Sequence, residues 1–190
     1  MPLAPKAPDS RPRVVALSGS LRAGSLNTTL LRIAAELAAP ELEITLFDGI
    51  RHLPHYDQDL EGDLPTQVRD FRALVGAVPA VLISCPEYAY GVPGAFKNAL
   101  DWLVGGPEFV GKRVALLNGS PRAVRSQEQV TVTVTAMAGI VVEAACVTLP
   151  LLGKHLDQQG ILAQPGVREA LGTGLRHFAE AIARATAAEA

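Results

Sequence analysis

The stretch "RVVALSGSLRAGSLNTTLL", residues 13–31, joins a short apolar run to a polar loop and then to a helical pattern. The run 13–17 is apolar after its first residue, as expected for a parallel strand that helices cover on both faces. Apolar residues in 30–37 recur at intervals of three and four, which is the spacing of one helix face. The stretch therefore predicts a strand–loop–helix unit, the building block of an α/β domain.

The same alternation continues along the chain. Further strands are predicted at 42–47, 80–84, 113–118 and 141–149, with helical segments between them. The segment "VTVTVT", 130–135, alternates like a strand and is rich in β-branched residues, yet it also fits a helical stripe. Parallel strands on either side of it need a crossover, so we expect a helix there. The whole pattern predicts a single doubly wound α/β domain over 13–185, a five-stranded parallel sheet with helices on both faces, after a proline-rich disordered arm over 1–12.

Composition excludes several classes of function. The 190 residues carry a net charge of −2 and contain no basic tract, which argues against a nucleic-acid partner. Cys85 and Cys146 are too few for a disulfide framework or a structural zinc site, and the four histidines show no ligand spacing, so no metal is expected. No apolar run approaches the length needed to cross a bilayer, and the N-terminus lacks the apolar core of a signal peptide. We therefore expect a soluble, cytoplasmic protein.

Ligands of an open parallel sheet bind at the carboxyl ends of its strands, so the loops there are the candidate site. In the first loop Gly19 and Gly24 have the spacing of a nucleotide-hydrolase phosphate loop, but Ser25 and Leu26 follow instead of Lys and a hydroxyl residue. A terminal monophosphate needs neither, and a helix N-terminus with hydroxyl, amide and guanidinium side chains can hold one. Helix capping by Ser25 or Asn27 explains one or two of these polar residues and leaves the others unexplained. The candidate phosphate ligands are Ser20, Arg22, Ser25 and Asn27.

Two more loops follow strands. "PEYAYGVPGAFKNALDWL", 86–103, begins with two tyrosines, and Gly91 in it allows a ligand ring close to the backbone. The alternative is that the tyrosines cover the sheet edge and that Glu87 is a solvated acid. We favour this alternative for Glu87 alone, but not for the loop as a whole. "NGSPRA", 118–123, offers Gly119 and Ser120 to the same ligand, or is an ordinary strand-to-helix turn.

The stretches "GSLRAGSLN" and "PEYAYGVPGAFKNALDWL" resemble the two signature motifs of the NADPH-dependent FMN reductase family, which includes quinone, chromate and azo-dye reductases. The resemblance implies a flavodoxin-like fold, noncovalent FMN, NAD(P)H as hydride donor, a small electron acceptor such as a quinone, and a homodimer or homotetramer. It assigns the FMN phosphate to Ser20, Arg22, Ser25 and Asn27, the isoalloxazine ring to Pro86, Glu87, Tyr88 and Ala89, and a third contact to Ser120, next to Gly119. No catalytic side chain is expected, because FMN itself carries the hydride chemistry.

The chain also departs from the family pattern. Ala89 stands where the family usually has Asn, and Gly91 where it usually has Ser, which removes one side-chain contact to the ring edge. The third loop has Pro121, Arg122 and Arg125 in place of glycines. One of these arginines is a candidate for the 2′-phosphate of NADPH, or both are simply solvated.

Two rival functions stay open at this point. A non-enzymatic, flavodoxin-like FMN electron carrier would have the same fold, although a net charge of −2 is weak for the acidic docking surface of such carriers. A flavin-free interaction module that keeps the fold is supported only by the altered third loop.

Overall fold

The computed structural model describes residues 11–154 and 156–189, so the predicted disordered arm lies outside the described residues except for its last two. The strands are β1 (Arg13–Ser18), β2 (Glu43–Phe47), β3 (Ala80–Ser84), β4 (Arg113–Asn118), β5 (Ile140–Val141) and β6 (Val147–Thr148). The helices are α1 (Leu26–Ala38), α2 (Thr66–Gly76), α3 (Gly94–Val104), α4 (Val124–Ala136), α5 (Gln158–Leu162) and α6 (Val167–Glu189).

All strands are parallel, in the order β2-β1-β3-β4-β5, with β6 pairing β4. Side chains of β1 alternate between two apolar cores, since Val15 and Leu17 belong to one and Val14 and Ala16 to the other. Helices α2, α3 and α4 cover the first core, and α1, α5 and α6 cover the second. The predicted doubly wound sheet with helices on both faces is confirmed.

The ambiguous segment 130–135 is helical. It lies within α4, where Val130 and Val134 are fully buried while Val132 is 68% exposed. Burial at a spacing of four residues is the pattern of a helix face. The helix predicted from the need for a crossover is therefore confirmed, despite the β-branched composition of the segment.

The predicted strand 141–149 is wrong as a single element. Strands β5 and β6 pair with opposite ends of β4, and a 3-10 turn over Glu143–Ala145 separates them. The N–H of Leu116, midway along β4, faces Cys146 Sγ at 3.4 Å instead of a strand carbonyl. The Ala144 carbonyl turns away from the sheet and accepts a hydrogen bond from His177 Nδ1 at 2.9 Å. The fifth position of the sheet is therefore a broken strand.

None of the helices in the described ranges is long and apolar enough to cross a membrane.

Candidate functional site

The three predicted loops meet at the carboxyl ends of β1, β3 and β4 and line a cleft of about 310 Å³. Nine of the ten predicted site residues line it: Ser20, Arg22, Ser25, Asn27, Pro86, Glu87, Tyr88, Gly119 and Ser120. Ala89 is the predicted residue that does not. The cleft lies where ligands of this topology are expected, beyond the strand ends.

The first loop is held tightly against β3. The Gly19 N–H donates to the Ser84 carbonyl at 2.8 Å. A Cβ at Gly19 would lie 2.6 Å from Cys85 Sγ and 3.0 Å from Cys85 Cα, so only glycine allows this approach. This close backbone contact fixes the loop against β3, and hydrogen bonds such as the one between Ser18 Oγ and Thr28 Oγ1 at 2.8 Å add to it.

The start of α1 presents a concentrated set of hydrogen-bond donors. Ser25 caps the helix, because its hydroxyl accepts from the Thr28 N–H at 3.4 Å. The backbone N–H groups of 23–27 donate to no other group in the described part of the chain. Arg22 is exposed beside them and forms no ion pair with a described residue. Free N–H groups, a helix N-terminus and an unpaired guanidinium fit a phosphate dianion.

A buried network connects this loop to the centre of the sheet. The hydroxyl of Ser84, which is fully buried, lies 2.9 Å from Asn27 Oδ1 and 2.7 Å from the Leu117 carbonyl. The single hydroxyl hydrogen of Ser84 can bond only one of these two oxygens, so the orientation of the Asn27 amide decides whether its nitrogen or its oxygen is available to a ligand in the cleft. Asn27 is therefore oriented by a strand residue 57 positions away.

The second loop begins with a tight hairpin. Tyr88 and Gly91 exchange backbone hydrogen bonds of 2.9 and 3.0 Å, and the two residues between them have positive φ, +49° at Ala89 and +61° at Tyr90. Two positive φ values define a type I′ turn, which favours Asn and Gly. Ala89 is thus at a strained turn position, where Asn would fit better for conformational reasons alone. A Cβ on Gly91 would lie 3.3 Å from Gln129 Oε1, so a side chain of α4 occupies the space beside this glycine.

Glu87 connects the second loop to α4. Its Oε2 accepts the Ser126 N–H at 3.0 Å in the first turn of that helix. The residue at the N-cap, Ala123, provides no side-chain cap, so the carboxylate of Glu87 takes that role. Gln127 also donates to the Cys85 carbonyl at 3.2 Å. The alternative of a solvated acid is therefore wrong. The sequence could not show this, because the hydrogen-bond partner of Glu87, Ser126, lies 39 residues away.

The third loop folds back on itself. Asn118 Oδ1 accepts the Ser120 N–H at 2.9 Å, and Ser120 Oγ accepts the Arg122 N–H at 3.2 Å. A Cβ on Gly119 would lie 2.6 Å from Leu26 Cδ2, which brings the third loop against the start of α1.

The cleft is also lined by residues that were not among the predicted FMN contacts: Leu26, Asn118, Arg122, Ala123 and Leu152. Asn118 is a polar residue at the end of a buried strand, which was a usable signal. Leu152 follows the broken fifth strand, and nothing in its sequence context pointed to the site. Of the two arginines considered for a 2′-phosphate, Arg122 lines the cleft, whereas Arg125 pairs with Glu128 at 3.2 Å on the surface.

The two cysteines are free thiols, and neither lines the cleft. Burial raises the pKa of the Cys85 thiol to about 12 and also raises the pKa of Cys146. Both therefore stay protonated near neutral pH and are poor nucleophiles. Among the described residues, no three His, Cys, Asp or Glu side chains are placed to share a metal ion.

Comparison with known proteins gives a family match for most of the chain. Residues 12–153 match the profile of a family described as NADPH-dependent FMN reductase, whose description contains the two cofactors expected from the sequence. An NAD(P)H-dependent FMN reductase from Pseudomonas aeruginosa is 40% identical over 111 residues, 57% of this chain and 60% of that enzyme. A probable NADPH:quinone oxidoreductase from Oryza sativa subsp. japonica is 33% identical over 173 residues, 84% of this chain and 83% of that protein.

Solved structures show the same architecture. FerB, a flavoenzyme NAD(P)H:(acceptor) oxidoreductase from Paracoccus denitrificans, has a TM-score of 0.71 at 28% identity and aligns over 91% of this chain and 98% of its own. Flavodoxin 1 from Bacillus cereus has a TM-score of 0.59 at 13% identity, covering 88% of this chain and 97% of its own, which shows the shared fold alone. The predicted flavodoxin-like fold is confirmed.

Proposed function

The chain belongs to the NADPH-dependent FMN reductase family, and we propose that it is an FMN-dependent NAD(P)H oxidoreductase that reduces quinones or other small oxidants. The observation that carries the proposal is the cleft itself, because the loops that follow three strands bring together nine residues expected to contact FMN.

The first loop is the proposed site of the FMN phosphate. Ser20, Arg22, Ser25 and Asn27 surround the free N–H groups of 23–27, and this donor set matches a monoester dianion. No lysine is needed, because there is neither a second phosphate nor a magnesium ion to hold.

The isoalloxazine ring is proposed to lie between the second and third loops. Within the described residues, the N–H groups of Glu87 and Gly119, which both line the cleft, donate no hydrogen bond. Donors at fixed positions stabilise negative charge that develops on a bound ring, which favours its reduced state. Tyr88 at the rim is half exposed, so one face of the cleft stays open to a second reactant.

When bound, FMN supplies the redox chemistry by accepting a hydride from NAD(P)H and passing two electrons to the oxidant. The overall reaction converts NAD(P)H, one proton from solvent and a quinone into NAD(P)+ and a hydroquinone. The protein is proposed to contribute position and electrostatics, with donor and acceptor using the open face in turn. The free thiols of Cys85 and Cys146 agree with a reducing compartment such as the cytoplasm.

The direct test is an anaerobic titration of FMN-loaded protein with NADPH, then NADH, followed by absorbance. We expect bleaching of the flavin band at one equivalent of donor and its return when a quinone is added. Flavin that stays oxidised with both donors but is reduced by dithionite would overturn the proposal in favour of the electron carrier. Failure to retain FMN would favour the flavin-free module.

A homodimer or homotetramer is part of the proposal. Tyr90, at the hairpin tip, is 81% exposed, and Tyr88 is half exposed beside it, so the rim of the cleft offers aromatic surface to a second copy. Light scattering after size exclusion should give a mass of two or four times the 20.0 kDa of one chain. Tyr90→Ser should shift the measured mass towards that of the monomer. A monomeric wild-type protein at micromolar concentration would refute this part.

A further inference from the structure

The first part of the second loop, residues 85–92, is attached to the start of α4 at both of its ends. Gln127 Nε2 donates to the Cys85 carbonyl at 3.2 Å, and Gln129 Oε1 accepts the Val92 N–H at 3.0 Å. Among the described residues, no other side chain from outside this segment forms a hydrogen bond with its backbone. Because a carbonyl can only accept and an N–H can only donate, Gln127 must act here as a donor and Gln129 as an acceptor.

The same helix start also carries the third loop. Helix α4 begins at Val124, directly after the third loop ends at Ala123, and that loop lines the cleft. The N–H of Ser126, which is fully buried, donates to Glu87 Oε2 at 3.0 Å, at a point of the second loop between the two glutamine contacts. The start of α4 therefore joins the two loops between which the isoalloxazine ring is proposed to lie.

The two glutamine contacts differ in how readily water can replace them. Cys85 is 1% exposed, so loss of the Gln127 amide would leave a buried carbonyl without this partner, which costs more than loss of an exposed hydrogen bond. Gln129 is exposed, and water can accept from the Val92 N–H in its place. Neither glutamine lines the cleft, so each can affect a bound ligand only through the loop that it holds.

The backbone transmits the position of the Cys85 carbonyl to a free donor in the cleft. Peptide units are planar and the ring of Pro86 fixes its φ, so the ψ of Pro86 is the one soft dihedral angle between the Cys85 carbonyl and the Glu87 N–H. That N–H donates no hydrogen bond to a described residue, and Glu87 lines the cleft. Holding the carbonyl of Cys85 therefore restricts the direction in which the Glu87 N–H points.

We propose that Gln127 is a positioning residue for the isoalloxazine ring, and that Gln129 is a weaker second attachment of the same loop. The inference rests on the proposed function, because it requires FMN to bind with its ring between the second and third loops. A donor at a fixed position stabilises the negative charge of the reduced ring more than it stabilises the neutral oxidised ring. Gln127 should therefore affect both the affinity for the ring and the reduction potential of bound FMN.

The first test compares the affinities of FMN and riboflavin through flavin fluorescence. Gln127→Met removes the amide donor but keeps a side chain of similar length and a good helix former, and it should weaken both flavins equally, by about five- to ten-fold, because they share the ring. Gln127→Glu also lacks the donor and should weaken both flavins, whereas Gln129→Glu keeps an acceptor for the Val92 N–H and should bind them as the wild type does. Gln67→Met is the matched control and should change neither affinity, because Gln67 is exposed on α2 and its side chain forms no hydrogen bond with a described residue.

The second test measures the reduction potential of bound FMN by photochemical reduction in the presence of a reference dye. In Gln127→Met the reduced flavin should lose about ten-fold more affinity than the oxidised flavin, which lowers the two-electron potential by about 30 mV. Gln67→Met should leave the potential unchanged. A role confined to stability would lower Tm in Gln127→Met without changing this potential, and that result would overturn the inference. A larger loss of FMN affinity than of riboflavin affinity in Gln127→Met would also overturn it.

Failure of this inference differs from failure of the proposed function. Photochemical reduction needs no nicotinamide, so a bound flavin that neither NADPH nor NADH reduces would refute the proposed reductase. A potential lowered in the Gln127 variants alone would then still support the positioning role. Wild-type protein that retains no FMN would refute both.

Discussion

Replacing Glu87 tests how the second loop and α4 are held together. Its carboxylate accepts the Ser126 N–H at 3.0 Å and caps a helix that has no side-chain cap of its own. Losing an N-cap hydrogen bond costs about 1 kcal/mol. Losing a negative charge at a helix N-terminus costs about 0.3–1 kcal/mol more. Glu87→Ala should therefore destabilise the protein by about 1–2 kcal/mol, whereas Glu87→Gln keeps an oxygen acceptor and should lose only the smaller, charge-dependent part.

The assay is thermal unfolding of the flavin-free protein, followed by circular dichroism. In a chain of this size 1 kcal/mol shifts Tm by about 2–4 °C, so Glu87→Ala should lower Tm by about 2–8 °C and Glu87→Gln by about half as much or less. Glu180→Gln, which neutralises an exposed acid on α6, is the control and should change Tm little. An unchanged Tm in Glu87→Ala, or a larger loss in Glu87→Gln than in Glu87→Ala, would refute the capping role.

Three further substitutions or probes follow from the structure. Ala89→Gly relieves a φ of +49° and should stabilise the protein by about 0.5–1 kcal/mol, visible as a higher Tm; a lower Tm would contradict the hairpin geometry. Gly174→Ala places a Cβ 2.6 Å from Val147 Cγ2 and should cost about 1–3 kcal/mol in urea unfolding, unless α6 does not pack as described. Burial raises the pKa of the Cys85 thiol to about 12, so the thiol is protonated at pH 8 and a thiol reagent should label it only after denaturation. Rapid labelling of the native protein that is lost in Cys85→Ser would contradict this burial.

Much of the architecture was predictable because its determinants are local. Buried parallel strands are continuous apolar runs, and the crossover requirement decided the helix over 130–135. The break in the fifth strand was not predictable, because it depends on Cys146 Sγ facing Leu116 N–H and on the Ala144 carbonyl turning to His177. These contacts join segments that are remote in sequence.

The candidate site divides in the same way. Loops that follow strands could be recognised from the sequence, and their polar residues do converge on one cleft. The role of Glu87 as a helix cap depends on its contact with Ser126, and the positive φ of Ala89 depends on the hairpin around it. Neither feature can be recognised before the chain is folded.

The central claim is that the first loop holds the phosphate of FMN, and it is tested most directly by comparing the affinities of FMN and riboflavin through flavin fluorescence. Two charge-assisted hydrogen bonds of about 1.5 kcal/mol each predict that FMN binds roughly 100-fold more tightly than riboflavin. Arg22→Ala should weaken FMN about ten-fold or more and leave riboflavin unchanged, so that the difference between the two ligands narrows. Equal affinities of the wild-type protein for FMN and riboflavin would contradict the account.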